Sequence, residues 1–405
     1  MIIEPVTRIE GNAGIEIRDG KVLFKVVELR GFEKFLEGRP FEELPRLTAR
    51  ICGICPVSHT MASVKAIESA FSIEIPERAE MLRRLLVHAQ AIQSHTLHLF
   101  FLALPDYYPI EDKNVLGLYK ANGDLVRSAV FLRELSQNMV ETMAVRAVHP
   151  EVIPGGVTRD LDDEKAHKFL SELKKALNIA DELGTEVSDL FKEGKTNIET
   201  CYLSLSNNGN VDFYDGEIVS VDENGNELIR FLPLDYSKYI QEKVEPFSYL
   251  KFPYLEGKMY RVGPLARLNV AKVDTDIASE LQKGVFGNIR HETTLYNYAR
   301  FIELVYSIEK AIEILENLKA GRIREEVKIR AGEGVGVVEA PRGALFHHYK
   351  FNDKGLLEWT NLVVATVQNN PAINAELNEV YTKDGADGLE TIVRAYDPCL
   401  SCASH

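Results

Sequence analysis

The chain has 405 residues and a formal net charge of −14, because 61 aspartates and glutamates outnumber 47 lysines and arginines. With 45% hydrophobic and 27% charged residues, its composition excludes a disordered or low-complexity chain. The acidic balance argues against nucleic acid as a partner, since it repels phosphate backbones. No run approaches the roughly 18 apolar residues of a membrane span, and the first residues lack the basic and apolar segments of an export signal. We therefore expect a cytoplasmic globular protein.

The N-terminal region, residues 1–50, is predicted to contain a small antiparallel sheet. Apolar side chains occupy every second position in residues 13–30, on both sides of Asp19 and Gly20. Because Asp-Gly favours the tight turn that joins two antiparallel strands, this pattern predicts a β-hairpin.

Long helices are predicted in a helical body formed by residues 56–200 and 265–325. Apolar residues at helical spacing predict one helix from about Thr60 and a longer one after Pro76, which Pro105 should end. Further helical patterns cover residues 113–148, 160–191, 274–283 and 296–320.

Two other regions have strand-like patterns. Residues 200–260 contain several Asn-Gly and Asp-Gly turns and are predicted to form hairpins on the surface. A C-terminal sheet and metal-binding tail are predicted for residues 330–405, with a helix near Glu390. Together the patterns predict an α+β fold, predominantly α, with a central bundle of long helices and small peripheral antiparallel sheets. We expect residues 1–405 to form a single domain.

The cysteines carry the clearest chemical signal. Four of the five form two C-x-x-C pairs, Cys52 with Cys55 and Cys399 with Cys402, at opposite ends of the chain. This spacing lets both sulfurs of a pair reach one metal from a single turn, so the two ends must meet. The simplest interpretation is a structural zinc site, but charged neighbours that a closed zinc site does not need favour a reactive centre. The fifth cysteine, Cys201, is predicted to be an inert buried thiol.

The two cysteine pairs belong to longer signatures. The first reads R-x-C-G-x-C-x-x-x-H over residues 50–59, and the second reads D-P-C-x-x-C-x-x-H over residues 397–405. With them, the chain resembles the large, catalytic subunit of nickel-iron hydrogenases, in particular the cytoplasmic multi-subunit branch. Other motifs of that family occur in the same order: P-V-T-R-I-E-G at 5–11, R-G-F-E at 30–33, H-P at 149–150, G-G at 155–156 and E-A-P-R-G at 339–343.

The resemblance implies a binuclear metal centre. Nickel would be held by all four paired cysteines, and Cys55 and Cys402 would bridge it to an iron that carries carbon monoxide and cyanide. Thiolates are soft donors that suit such metals. The resemblance further implies reversible heterolytic cleavage of dihydrogen (H2) into protons and electrons.

Several residues near the metals have roles implied by the resemblance. Cys399 would accept the proton and Glu10 would relay it, whereas without the resemblance Glu10 would be interpreted as an ion-pair partner of Arg8 or as a surface group near the N-terminus. Arg342, which follows Pro341, would project over the open face of the metals, near Asp397. A simple ion pair between Arg342 and Asp397 remains an alternative.

Other residues would support the centre. His59 would donate a hydrogen bond to a bridging thiolate, and Thr366, which by pattern alone would be part of a strand, would hydrogen-bond a cyanide. Glu33 and His405 would bind a hard cation, magnesium or iron, near the C-terminus. Their alternative interpretation is a surface glutamate and a frayed terminus.

The chain contains no cysteines beyond these five for iron–sulfur clusters, so electrons need a partner to leave the site. By resemblance, the partners are flavin-containing electron-transfer subunits and an iron–sulfur small subunit. Two other functions stay open: a non-catalytic scaffold like the quinone-site subunit of respiratory complex I, which lacks the four cysteines, and a structural protein stapled by zinc.

Overall fold

The computed structural model of the chain describes residues 2–26, 28–194 and 196–404. About 49% of the residues are helical and 19% lie in strands, which confirms the predicted α+β fold, predominantly α. In the described residues, no helix combines the length and apolar character that a membrane crossing requires. The helices are α1 (Phe32–Leu36), α2 (Leu44–Thr48), α3 (Pro56–Phe71), α4 (Glu77–Thr96), α5 (Leu104–Tyr107), α6 (Val115–Ala121), α7 (Gly123–Ala144), α8 (Asp163–Phe191), α9 (Tyr236–Tyr239), α10 (Pro264–Val270), α11 (Asp276–Val285), α12 (Leu295–Glu316), α13 (Ala365–Asp384), α14 (Leu389–Tyr396) and α15 (Leu400–Ala403).

The strands form small sheets, which are antiparallel except for one parallel pair. The sheet orders are β1-β2-β3, β6-β5-β4-β9, β7-β8 and β10-β11-β12, and β4 pairs with β9 in parallel. The strands are β1 (Ile2–Ile3), β2 (Gly14–Arg18), β3 (Lys21–Lys25), β4 (Cys201–Ser206), β5 (Glu217–Val221), β6 (Glu227–Phe231), β7 (Ile240–Val244), β8 (Lys251–Leu255), β9 (Tyr260–Arg261), β10 (Gly332–Ala340), β11 (Gly343–Phe351) and β12 (Leu357–Val363).

The long helices pack against one another as the predicted bundle. Helix α4 lies between α7 and α12, and α12 also packs against α8. Helix α8 shows why these segments are helical: the Asp162 side chain caps its first turn by accepting from the Lys165 backbone N–H at 2.8 Å. An apolar stripe then faces the core at helical spacing, with Phe169, Leu173 and Ala176 buried.

Helix α3 lies directly on strand β10, and this contact positions the first cysteine pair. Small residues make the close approach possible, because a Cβ atom on Gly336 would lie only 2.1 Å from the Ala62 carbonyl oxygen. A Cβ on Gly334 would lie 2.3 Å from the Ala70 backbone nitrogen. Since α3 begins directly after Cys55, the β10 sheet and this cysteine pair are held together.

Three predictions made from the sequence need correction. Pro105 does not end the helical run, because the chain continues through a π-helical stretch, Leu97–Ala103, into α5, whose first turn accommodates the proline. Residues 200–260 do form strands, but β4 is buried along its whole length, with α10 and the β10-β11-β12 sheet packed against it, and is not at the surface. Thr366 does not extend a strand, because it lies in the first turn of α13.

Candidate metal centre

The two C-x-x-C loops meet at one buried point, as the sequence predicted. The Sγ atoms of Cys52 and Cys399 are 3.2 Å apart, as are those of Cys55 and Cys402. All four sulfurs lie within 4.8 Å of one another, and in the ranges that the structure describes they form the one group able to hold a metal ion. These separations exceed a disulfide bond length, so the thiols are free to bind metal.

Local backbone features place each pair. Pro56 occupies the first turn of α3, where proline is well tolerated, so Cys55 immediately precedes the helix. In the second pair, α14 ends at Tyr396, and the next residue, Asp397, has a φ of 55°, which turns the chain away from the helix before Cys399. The short helix α15 then carries Cys402 back toward the first pair.

The N-terminal segment holds the C-terminal tail in position. The Leu400 backbone N–H donates to the Glu10 carbonyl oxygen at 3.0 Å, and the Arg30 backbone N–H donates to the Ser404 carbonyl oxygen at 2.6 Å. Gly11 permits this approach, because it has a φ of +83° and a Cβ there would lie 2.7 Å from the Leu400 Cβ. The tail that supplies two sulfurs is therefore fixed against the other end of the chain.

The four sulfurs differ in their affinity for protons. Hydrogen bonds with Cys399, Cys402 and Cys55 lower the pKa of Cys52 well below its ordinary value. Burial raises the pKa of Cys399 and the pKa of Cys402 well above the ordinary value. The cluster thus holds protons that a bound divalent metal would displace, as is usual when thiols become metal ligands.

Glu10 lies beside the cluster. Its Oε2 atom accepts from the Ser401 backbone N–H at 3.0 Å and lies 3.2 Å from the Cys399 Sγ. The alternative interpretation, an ion pair with Arg8, is not what the structure shows, since Arg8 pairs with Asp106. Glu10 is partly buried, so its carboxylate lies between the sulfurs and the protein surface.

Arg342 projects from the turn between β10 and β11 onto the same point. Its Nη2 lies 2.9 Å from the Asp397 Oδ1, and its Nε donates to the Asp397 carbonyl oxygen at 2.6 Å. Burial alone would raise the pKa of Asp397, but Arg342 and His98 hold it well below its ordinary value. The predicted ion pair is therefore present, and Arg342 also lines the cavity that adjoins the sulfur cluster.

A cavity of about 20 Å³ adjoins the sulfurs, and the residues that line it show whether ligands bound to a metal could be held there. Cys55, Cys402, Arg342 and Thr366 are among the residues that line it. The Arg342 Nη1 is buried without a hydrogen-bond partner among the described residues, so an acceptor bound here would satisfy it. The Thr366 Oγ1 accepts from the Cys399 backbone N–H at 2.9 Å, which leaves its own proton to donate. The residues present thus fit an anionic group beside the sulfurs.

Two other residues predicted from the sequence lie in this region. The His59 Nε2 lies 3.3 Å from the Cys402 Sγ, within reach of the expected hydrogen bond. Pro341 forms part of the β10–β11 turn, where its carbonyl oxygen accepts from the Arg267 Nη2 at 3.3 Å, and it is not among the residues that line the cavity.

Glu33 lies near the tail but takes other partners. Its Oε1 accepts from the Leu362 backbone N–H at 2.8 Å and from the Lys251 Nζ at 3.1 Å. In residues 2–26, 28–194 and 196–404, Glu33 belongs to no group of three side chains able to hold a metal. His405, the other predicted ligand of a hard cation, lies outside the described residues.

Sequence reasoning assigned no role to two histidines that contact the site. The His98 Nδ1, in the π-helical stretch Leu97–Ala103 that follows α4, lies 3.1 Å from the Asp397 Oδ1. The His347 Nε2 lies 3.1 Å from the His59 Nδ1. Its position on the strand after Arg342 is the one signal that could have pointed to it. Cys201 lies in β4, buried and separate from the other four cysteines, as predicted.

Comparisons with known proteins agree with this geometry. The sequence profile of the nickel-dependent hydrogenase family matches residues 30–121 and 213–405. The chain is 42% identical to one subunit of the F420-non-reducing hydrogenase vhc of Methanococcus voltae, covering 100% of this chain and 94% of the relative. It is 35% identical to the NAD-reducing hydrogenase HoxS subunit beta of Cupriavidus necator, with the same coverage. A solved NAD+-reducing [NiFe]-hydrogenase matches with a TM-score of 0.92 at 34% identity, covering 100% of this chain and 99% of that one.

Proposed function

This chain belongs to the nickel-dependent hydrogenase family, and we propose how its residues contribute to the reversible cleavage of dihydrogen. It is a hydrogenase catalytic subunit, and its clustered cysteines form the site of a nickel-iron centre. In our proposal all four bind nickel, and Cys55 and Cys402 also bind an iron that carries carbon monoxide and cyanide. The observation that carries this assignment is the convergence of four buried sulfurs within 4.8 Å.

The surroundings of the sulfurs favour a reactive metal centre over a structural zinc site. A closed zinc site needs only its four ligands, whereas here a cavity and an unsatisfied Arg342 Nη1 adjoin the cluster. In our proposal Arg342 and Thr366 donate hydrogen bonds to cyanide in this cavity. The scaffold alternative is disfavoured because all four cysteines are present.

When bound, the nickel-iron centre supplies the redox chemistry that takes up the two electrons of dihydrogen. The chain's own groups then carry away the two protons that remain, one after the other. Cys399 accepts each proton, and Glu10, 3.2 Å from that sulfur, takes it outward. A carboxylate at hydrogen-bond distance is well placed for this transfer. Asp397 keeps Arg342 over the cavity through two contacts, at 2.6 Å and 2.9 Å.

We further propose a hard cation, magnesium or iron, at Glu33 and His405. The tail supports this placement, because Ser404 is hydrogen-bonded to Arg30, three residues before Glu33. The Lys251 ammonium beside Glu33 would have to move or share the carboxylate with the cation. A carboxylate ligand is typical of such ions.

The electrons leave through partner proteins in this proposal. The chain offers one cysteine outside the cluster, which cannot hold an iron–sulfur cluster by itself. Related proteins are named as subunits of hydrogenases, including one F420-non-reducing and one NAD-reducing enzyme. We propose flavin-containing subunits and an iron–sulfur small subunit as partners, in the cytoplasm, with a soluble electron acceptor.

Metal analysis and infrared spectroscopy of the purified complex test the proposal. We expect nickel and iron at the sulfur site and infrared bands from metal-bound carbon monoxide and cyanide. H2/D2 isotope exchange should accompany them. Zinc in place of nickel would support the structural zinc site. Absence of metal together with absence of isotope exchange would support the non-catalytic scaffold.

A further inference from the structure

A chain of buried polar side chains leads from Cys402 into the protein core. The His59 Nε2 lies 3.3 Å from the Cys402 Sγ, and the His59 Nδ1 lies 3.1 Å from the His347 Nε2. The His347 Nδ1 lies 2.8 Å from the Tyr349 Oη, which in turn lies 3.0 Å from the Ser63 Oγ. All five side chains are at least 95% buried. The function proposed above uses neither His347 nor Tyr349.

Helix α3 and strand β11 pack together and hold these hydrogen-bonded side chains in place. His59 and Ser63 lie one turn apart on α3, so they share a helix face. His347 and Tyr349 are two residues apart on β11, so they share a face of the sheet. Because α3 packs against β11 as well as β10, the four groups are fixed by regular structure and not by a loop.

The groups that flank the two histidines, the Cys402 sulfur and the Tyr349 hydroxyl, determine which histidine nitrogens carry protons. A metal-bound thiolate can only accept, so the His59 Nε2 must carry a hydrogen. In a neutral imidazole the other nitrogen is then an acceptor, so the His347 Nε2 must donate to the His59 Nδ1. The His347 Nδ1 is left as an acceptor, and the Tyr349 hydroxyl, 2.8 Å away, is placed to donate to it.

Tyr349 can fill this role because it keeps its proton. Burial raises the pKa of Tyr349, and hydrogen bonds with Ser63 and Thr48 offset only part of that rise. With the Tyr349 proton directed to His347, the freely rotating Ser63 hydroxyl can donate to the tyrosine oxygen. The series of hydrogen-bonded side chains ends at the buried Tyr349 and Ser63 hydroxyls, so it cannot carry a proton to solvent.

We propose that His347 and Tyr349 are positioning residues that fix the His59 tautomer which donates a hydrogen bond to the Cys402 sulfur. The inference rests on the proposed function, in which that sulfur is a metal-bridging thiolate. A hydrogen bond to a thiolate withdraws electron density from it. Loss of Tyr349 or His347 should therefore make the sulfur a stronger electron donor.

The test uses infrared spectra and reduction potentials of the intact complex. Tyr349→Phe removes only the hydroxyl, so the nickel and iron content should be unchanged. The carbon monoxide and cyanide bands should shift to lower wavenumber, and the reduction potential should become more negative. Tyr306→Phe is the matched control, since it removes a buried hydroxyl that donates to the Val211 carbonyl oxygen at 2.7 Å, away from the cluster.

Two variants of His347 make the test independent of how Tyr349→Phe behaves. His347→Leu removes both nitrogens and should give the larger shift. His347→Gln keeps an N–H donor near His59 and should move the bands back toward those of the wild type. A structural disturbance alone would not make the band shift smaller in His347→Gln than in His347→Leu.

The outcomes separate the inference from the function on which it rests. Wild-type complex without carbon monoxide and cyanide bands would overturn the proposed function, and the positioning role with it. Wild-type bands that stay in place in a metal-replete His347→Leu protein would overturn the positioning role alone. An equal shift in Tyr306→Phe would overturn it as well.

Discussion

At the residue scale, Glu10 and Cys399 are the pair on which proton transfer depends in our proposal. We expect Glu10→Gln to retain nickel and iron, because glutamine can still accept from the Ser401 backbone N–H. H2/D2 exchange should fall by roughly 10²–10⁴-fold, since an amide cannot take up the proton. Glu16→Gln, which alters a glutamate paired with Lys25, is the control and should exchange normally. Unchanged exchange in Glu10→Gln would remove this residue from the relay.

The cysteines allow a second comparison between residues of the same type. Cys402→Ser should prevent the metals from being retained, because a serine hydroxyl is a poor substitute for a soft bridging thiolate. Cys201→Ser should retain both metals, since Cys201 is buried in β4 outside the cluster. Nickel and iron analysis of the two purified variants provides the measurement. Full metal content in Cys402→Ser would contradict the bridging role.

The residue-scale contacts also show what could be foreseen. The convergence of Cys52 and Cys399 was predictable, because each C-x-x-C pair provides only half of a four-sulfur site. The ion pair of Arg342 with Asp397 was foreseen as an alternative. The contact of His347 with His59 was not, because it depends on how β11 lies against α3, which no local pattern encodes.

At the element scale, the packing of α3 on β10 positions the first cysteine pair. We expect Gly336→Ala to lower the free energy of unfolding by about 1–3 kcal/mol, because the added Cβ meets backbone atoms that cannot move independently. Gly284→Ala is the control: this glycine lies in α11 with open space where a Cβ would lie, so the change should be neutral or slightly stabilising. Urea denaturation of both variants provides the measurement. Equal stability of the two would contradict the packing argument.

How well each element could be predicted depended on how clearly turn-forming residues mark its ends. The hairpin at Asp19 and Gly20 was foreseen, and both residues have the positive φ that its turn requires. Helix α13 was missed as a whole, because β-branched residues lead directly from β12 into the helix that contains Thr366. The burial of β4 was missed because the Asn-Gly and Asp-Gly turns around it suggested surface hairpins, whereas α10 and the β10-β11-β12 sheet pack against the strand.

At the scale of the whole molecule, the metals join sulfurs that are 347 residues apart in the chain. Closing so long a loop restricts the unfolded chain, and loop-closure entropy gives a stabilisation of about 6 kcal/mol. We therefore expect metal-loaded protein to unfold at a higher urea concentration than Cys402→Ser. Cys201→Ser should lower the unfolding midpoint less, because its cost is only that of a buried hydroxyl outside the cluster. Equal midpoints for loaded protein and Cys402→Ser would show that the metals do not tie the two ends together.

The placement of the whole chain as one domain of residues 1–405, with the regions defined from the sequence, stays a prediction. It agrees with the contacts between opposite ends, such as Leu400 with Glu10 and Ser404 with Arg30. These contacts follow from the tertiary fold, and the sequence indicated them only through the need to bring the cysteine pairs together.

X-ray absorption at the nickel edge of the purified complex tests the central claim most directly. The four sulfurs within 4.8 Å of one another predict a nickel surrounded by sulfur, with an iron atom as its next heavy neighbour. Loss of the nickel signal in Cys402→Ser, but not in Cys201→Ser, should accompany that result. A nickel bound mainly by nitrogen and oxygen, or a sulfur site filled by zinc alone, would contradict the account.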